Sequence, residues 1–492
     1  VVLLAGCEVG VDQSKLVKPN YDLLGKCERP EFPRITAIVD DALCGFISVF
    51  EDRESKSGRK IDLNVMLLPA TTSVVKPDPI FFLAGGPGQS AVDVGPYLFA
   101  VLRDLRKERD IVLIDQRGTG DSNSLSCVEE SLYLENFDLT VAEVMAKQVD
   151  EQRICLQRLD ADPALYTTPI AMDDLNEVRE ILGYQKINLL GGSYGTRAAL
   201  VYMRRHPYAV RSAILDGVVP LTMAVPANIA VDAQSSFELL LVDCQAQPAC
   251  AAAFPSLELH FRELVQRHRD EVIEVWVAHP RTGERVKGKI DPLIFSRLVH
   301  AIMYERTMTS LLPLAIEEAY NGNLEPLGTL GYALGGEEPL VSLGMMASVL
   351  CAEDMTLVNE PHNSKDFDNQ LYRLLKPICE FWPKGSIPER YFEAVSSDIP
   401  TLLLSGKLDP VTPPKYGWEA AATLSNSKHI VVAGVGHGVM IQGCVPGILS
   451  DFFDKPNPKE VKAACTTNLV RPDFFTSLAG PTTLQVIKEG RQ

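Results

Sequence analysis

The sequence predicts an α/β protein: a mostly parallel sheet of eight strands, covered by helices and interrupted by an inserted, mainly helical cap. Three observations carry this. Short continuous apolar runs, expected of strands covered on both faces, recur at PIFFLAG (79–85), DIVLIDQ (110–116), KINLLGG (186–192), SAILDGVVP (212–220), PTLLLSG (400–406) and HIVVAGV (429–435). Amphipathic segments of helical spacing separate them, and strands alternating with helices form parallel sheets. The rhythm stops near residue 221 and resumes at Ile399-Pro400. An insertion that leaves a sheet and returns to it covers the strands' C-terminal edge, where such folds bind ligands.

Taken in order, the chain opens with VVLLAGC, an apolar run ending in small residues before Cys7. Residues 1–7 resemble the end of a lipoprotein signal peptide, which makes Cys7 a lipidation site, places the protein in the cell envelope and limits membrane contact to a lipid anchor. Residues 8–35 are polar and proline-containing and read as an arm. The first part of the core covers 36–220. GFISVFED (45–52) and KIDLNVMLLPA (60–70) alternate as half-buried strands around the polar ESKSGR and predict an antiparallel hairpin at the sheet edge. Helical patterns follow at 94–107, 172–182 and 193–205, the last stopped by His206-Pro207. The cap spans 221–395, with helices expected at 235–244, 257–268 and 292–305 and a hairpin around Arg281-Thr282-Gly283. Core resumes over 396–443, and 444–492 is a C-terminal extension.

Composition narrows the function. Hydrophobic residues at 46% and charged residues at 23% are ordinary for a globular chain, which excludes disordered and coiled-coil classes. With 64 acidic against 47 basic residues the formal charge is −17, and no basic stretch tracks phosphates, so nucleic acid is not an expected partner. Eleven cysteines allow five bridges and leave one over, which Cys7 explains. No cysteine has metal-ligand spacing with histidine, and neither metal nor cofactor is expected.

The chemistry is concentrated in three loops. Gly191-Gly192-Ser193-Tyr194-Gly195 lies between an apolar strand run and a helical run. That context suits a nucleophile elbow, where the serine occupies a strained turn and glycines on either side remove colliding side chains. A serine hydroxyl needs a base, and the base needs an orienting acid. Among the eight histidines, His437 lies in a glycine-rich loop, GVGHG, just past a buried strand. Asp409 sits in the turn after LLLSG. The order Ser193, Asp409, His437 is that of a hydrolase triad, each member after a strand. The oxyanion donors are assigned to the N–H groups of Tyr194 and Gly86, with Gly85 as an alternative, because Ala84-Gly85-Gly86-Pro87-Gly88 directly follows the strand PIFFL.

With these motifs, and with Asp115-Gln116-Arg117-Gly118-Thr119-Gly120-Asp121-Ser122 after the next strand, residues 40–455 resemble the α/β-hydrolase peptidases of the prolyl aminopeptidase and tripeptidyl aminopeptidase family. The long helical cap and the extension past the histidine are similar to the tripeptidyl branch. Ala84 departs from the prolyl branch, which often has His before GGPG. The resemblance implies an exported serine aminopeptidase acting on short peptides with a free N-terminus, as a monomer. It implies a cap carboxylate for the substrate ammonium, assigned to Glu353 and then Asp354 in Cys351-Ala352-Glu353-Asp354. Thr412 either lines the site or caps the next helix. Pairing near neighbours joins Cys27 with Cys44, Cys127 with Cys155, Cys244 with Cys250, Cys351 with Cys379 and Cys444 with Cys465. The rival readings are a carboxylesterase or lipase with the same triad, and a non-catalytic binding protein on a hydrolase scaffold.

Overall fold

The computed structural model describes residues 20–27, 36–127, 139–267, 272–278, 282–335, 341–362 and 364–481. Cys7 and most of the arm lie outside the described residues.

The strands are β1 (Gly25–Lys26), β2 (Leu43–Phe50), β3 (Lys60–Leu68), β4 (Ile80–Leu83), β5 (Ile111–Ile114), β6 (Ile187–Gly192), β7 (Val210–Asp216), β8 (Ile273–Ala278), β9 (Arg285–Ile290), β10 (Thr401–Gly406) and β11 (Ser427–Val432). Nine of them form one sheet in the order β1-β2-β3-β5-β4-β6-β7-β10-β11. From β5 to β11 the neighbours are parallel, while β1, β2, β3 and β5 pair antiparallel. All eight expected strands are in this sheet. The ninth, β1, lies in the segment read as an arm, and the Cys27–Cys44 bond fastens the chain just beyond it to β2. The expected cap hairpin is the separate β8–β9 pair.

Burial on both faces explains the continuous apolar runs. Phe81 and Leu83 belong to one core, under helices Thr168–Ile181 and Tyr194–Arg205, whereas Ile80 and Phe82 belong to the other, with Phe99, Phe452 and Phe453 of helices Ala91–Val101 and Val445–Asp454. The chain runs from β4 to β5 on one side and then crosses back to place β6 on the other. The loops after β4 and β6 therefore diverge and leave a crevice at the strands' C-terminal ends.

The insertion has its own core, built from Phe237, Leu240, Phe261, Phe295, Val299 and neighbours, with Phe474 arriving from the C-terminal extension. Helix Val225–Ala246 starts ten residues before the expected 235–244 segment. Helix Val141–Arg158 was not expected, although its capping box, Thr140 with Glu143, is a signal present in the sequence. All five expected disulfides are formed. Among the described residues no helix is long and apolar enough to cross a membrane.

Candidate active site

Ser193 sits between β6 and the helix that begins at Tyr194, at φ 54° and ψ −126°. A non-glycine residue held there is strained and persists because its surroundings determine it. Its N–H donates to the Asp216 carbonyl at the end of β7, at 2.8 Å. The flanking glycines are required by space: a Cβ on Gly191 would lie 2.6 Å from the Gly195 carbonyl oxygen, and one on Gly195 would lie 1.9 Å from that of Leu83. The serine thus stands, partly exposed, at the head of a buried helix, where the helix N-terminus favours developing negative charge.

His437 follows β11 and contacts Asp409, after β10, through Nδ1 and Oδ2 at 2.8 Å. Asp409 is 1% exposed, and the N–H groups of Val411 and Thr412 both donate to its Oδ1 at 2.8 Å. Burial raises the Asp409 carboxyl, but the His437 charge and these hydrogen bonds outweigh it and hold it below its ordinary value. Burial lowers the His437 imidazole, and the neighbouring Asp409 carboxylate outweighs it, leaving it above its ordinary value. The ring is 19% exposed. It lies against the end of the strand next to the elbow: Gly192 pairs with Asp216, and a Cβ on the next residue, Gly217, would lie 3.0 Å from His437 Cε1.

Across the crevice, the loop after β4 presents an exposed Gly86. The Gly85 N–H, the alternative donor, is held by the Gln89 side chain at 3.2 Å. Gly86 donates to no partner among the described residues. As the first residue of its helix, Tyr194 has an N–H without an intrahelical acceptor. The loop is braced from the cap, since Ser342 N–H donates to the Gly88 carbonyl at 2.8 Å. A serine, an Asp-oriented imidazole and two unspent N–H groups around one crevice can perform nucleophilic acyl transfer.

Residues 78–239 match the family model described as alpha/beta hydrolase fold, and residues 364–465 match the one described as TAP-like protein. The chain has the α/β-hydrolase fold. Serine protease Hip1 of Mycobacterium tuberculosis is 25% identical to it over 82% of each chain. The tripeptidyl aminopeptidase of Streptomyces lividans is 30% identical over 36% of this chain and 35% of its own. The proline iminopeptidase of Neisseria gonorrhoeae is 30% identical over 28% of this chain and 32% of its own. Its relatives are thus serine-peptidase-type hydrolases.

The three expected substrate-binding residues are all buried. Asp354 is 0% exposed and forms an ion pair with Arg197 at 2.6 Å, while also accepting the Val225 N–H at 2.8 Å. Glu353 is 1% exposed and accepts the Thr168 N–H at 2.7 Å, the Thr168 hydroxyl at 2.8 Å and the Tyr391 hydroxyl. Burial pushes its carboxyl up to about 7. Both carboxylates are spent on internal donors, so the assignment to a substrate ammonium is corrected. Thr412 is 1% exposed, and its hydroxyl donates to Asp409 Oδ2 at 2.7 Å and lies 3.1 Å from His437 Nδ1; it braces the acid and the imidazole from the buried side.

The Asp115–Ser122 motif of this hydrolase is internal scaffolding. Asp115 accepts from Ser90, Asn64 and the Val92 N–H, tying β3, β5 and the helix after the Gly86 loop together. Arg117, fully buried, forms a two-pronged pair with Asp174 at 2.6 and 2.8 Å and donates to the Glu51 and Leu165 carbonyls. Sequence reasoning missed Tyr304, whose ring lies 5.5 Å from that of His437, and a cavity of about 270 Å³ beside it. Tyr304 ends a cap helix, and no motif marks it.

Proposed function

We propose that this hydrolase is an exported serine aminopeptidase releasing N-terminal residues or short peptides. Ser193 attacks the scissile carbonyl, His437 takes the proton and returns it to the leaving amine, and Asp409 holds the imidazole tautomer and supports the imidazolium. The Gly86 and Tyr194 N–H groups meet the tetrahedral oxyanion, and water activated by His437 releases the acyl-enzyme. The observation that carries the hydrolytic reading is the 2.8 Å His437–Asp409 bond beside a positive-φ serine.

The peptide reading is supported by the cavity. Ile229, Ala233, Ala301, Phe367 and Leu371 give it apolar walls, and Asp368 and Arg297 are the acidic and the basic side chain among the described residues lining it. Asp368 is 20% exposed on its side chain and pairs with Arg373 at 2.7 Å. An apolar side chain of the substrate fits these walls, and Asp368 replaces Glu353 as the partner of the ammonium. Five disulfides favour an oxidising compartment. Lipidation at Cys7 belongs to the same proposal, and mass spectrometry of the mature chain tests it.

The decisive measurement compares hydrolysis of free and N-acetylated Ala-Ala-Pro-nitroanilide, Pro-nitroanilide and p-nitrophenyl butyrate. Free peptides should be cleaved at least ~10-fold faster than acetylated ones, since the lost ion pair is worth ~1.4 kcal/mol or more. Ser193→Ala should lower all rates by ~10³-fold or more, and Asp368→Asn should erase the preference for the free amine while sparing the ester. Equal rates on free and acetylated peptides overturn the aminopeptidase reading. Turnover of the butyrate alone supports the esterase instead, which the apolar cavity walls would also suit.

A further inference from the structure

Strand β7 ends in a carboxylate that the proposed mechanism does not use. Asp216 is 2% exposed, and among the described residues no Lys or Arg forms an ion pair with it. Its three oxygens all serve the site. The main-chain oxygen accepts the Ser193 N–H at 2.8 Å. Oδ1 accepts the Val439 N–H at 3.1 Å, and Oδ2 accepts the Met440 N–H at 2.8 Å.

We propose that Asp216 is a positioning residue that clamps the nucleophile elbow to the histidine loop and supplies a second negative charge for the His437 imidazolium. The inference rests on the serine-hydrolase reading, but not on the choice of peptide over ester. The clamp is short on both sides. Gly192 is the strand partner of Asp216, and Ser193 follows it directly. On the other side, the N–H groups that Asp216 holds belong to the residues two and three positions after His437. Between the anchors the imidazole leans on Gly217, where even a Cβ would meet it at 3.0 Å. Losing the two N–H contacts would free the His437 loop to shift by the fraction of an ångström that separates a productive base from an idle one.

The charges around the carboxylate give the clamp a pH dependence. His437, from the loop after β11, lowers the proton affinity of Asp216, and Asp409, from the loop after β10, raises it. Ser193, on the β6 side, is neutral. Burial is the largest influence and opposes the Met440 and Val439 hydrogen bonds, and the carboxyl is pushed up to about 6. Above that pH it is anionic, accepts both N–H groups fully and stabilises the proton that His437 takes from Ser193. Below it a proton occupies one oxygen and the charge is gone. The acid side of the activity profile therefore contains two ionisations, that of His437 as base and that of Asp216 as clamp.

Labelling of Ser193 by a fluorophosphonate probe, followed from pH 4.5 to 9, tests this without assuming a substrate. For the wild type the logarithm of the labelling rate should steepen past a slope of one as pH falls through about 6. Asp216→Asn should approach a slope of one, label ~10-fold or more slowly at pH 8, and change KM for any turned-over acyl substrate less than about 3-fold. A wild-type slope of one overturns the inference, whether or not the variant folds. So does a variant whose profile is the wild-type profile scaled down, or a defect confined to KM. Absence of labelling in the wild type at every pH removes the serine-hydrolase reading and this inference with it.

Discussion

Glu353 shows how a residue can be found by its motif and still be given the wrong partner. Cys351-Ala352-Glu353-Asp354 stands out as an acidic pair next to a half-cystine, but nothing in the linear chain says which way each carboxylate faces. In the structure Glu353 caps a helix from a distance. Thr167, at the N-cap of Thr168–Ile181, makes no side-chain cap bond, and the Glu353 carboxylate takes the Thr168 N–H instead. Arg197 then faces two carboxylates, and its bidentate contact goes to Asp354. Burial raises the Glu353 carboxyl to about 7 against the pull of Arg197 and of the hydrogen bonds it accepts. A carboxyl whose folded-state pKa lies above its unfolded value favours the fold at low pH, and that advantage is lost as pH rises from about 4.5 to about 7. Glu353→Gln should therefore leave stability at pH 5 nearly unchanged and raise it at pH 8, by at most about 3 kcal/mol, the equivalent of the difference between 4.5 and about 7. Urea midpoints at the two pH values decide; parallel pH dependence in variant and wild type would refute it. Ser193, Asp409 and His437 were legible because each occupies a short loop directly after an apolar strand, where local sequence and spatial role coincide.

At the scale of elements, runs covered on both faces were easy to read, and segments whose role depends on a distant partner were not. The C-terminal extension is the clearest case. Leaving the core at Gly434, whose N–H donates to the Leu469 carbonyl at 2.8 Å, it crosses to the cap. There Arg471 pairs with Asp243 at 2.6 Å, the Phe474 N–H donates to the Gln247 side chain at 3.0 Å, and the Phe475 N–H donates to the Ser310 carbonyl at 3.0 Å. Phe474, 1% exposed, is part of the cap's own core. The extension is thus a strap from the histidine loop to the insertion. Phe474→Ala should cost about 3–5 kcal/mol, and hydrogen exchange should show the loss in helices Val225–Ala246 and Pro292–Tyr304 while β6 and β7 stay protected. Equal loss in the sheet would mean that cap and core unfold as one unit and that the strap has no separate role. Helix Val141–Arg158 is announced in the sequence by its capping box, Thr140 with Glu143, and not by any exceptional apolar content.

The whole molecule is a two-faced sheet with an insertion over its C-terminal edge, stapled by five disulfides that close loops of 6 to 28 residues. Each bond of this kind stabilises a fold by ~2–4 kcal/mol, mainly by restricting the unfolded chain. Reduction under native conditions should therefore lower the urea midpoint, a shift absent if the reductant is removed and the bonds re-form. A midpoint insensitive to reductant would show that the cross-links are dispensable. The sequence by itself determined the sheet, the cap, the order of serine, acid and histidine, and the disulfide pairs, because strand burial, turn chemistry and near-neighbour closure are local properties of the chain. Tertiary structure alone decided that Glu353, Asp354 and Thr412 face inward, that Asp216 binds the elbow to the histidine loop, and that Asp368 and Tyr304 flank a cavity. Each of those roles depends on which residue from a distant segment arrives opposite, and hydrogen-bonding capacity carries no mark in the sequence of the partner that will use it.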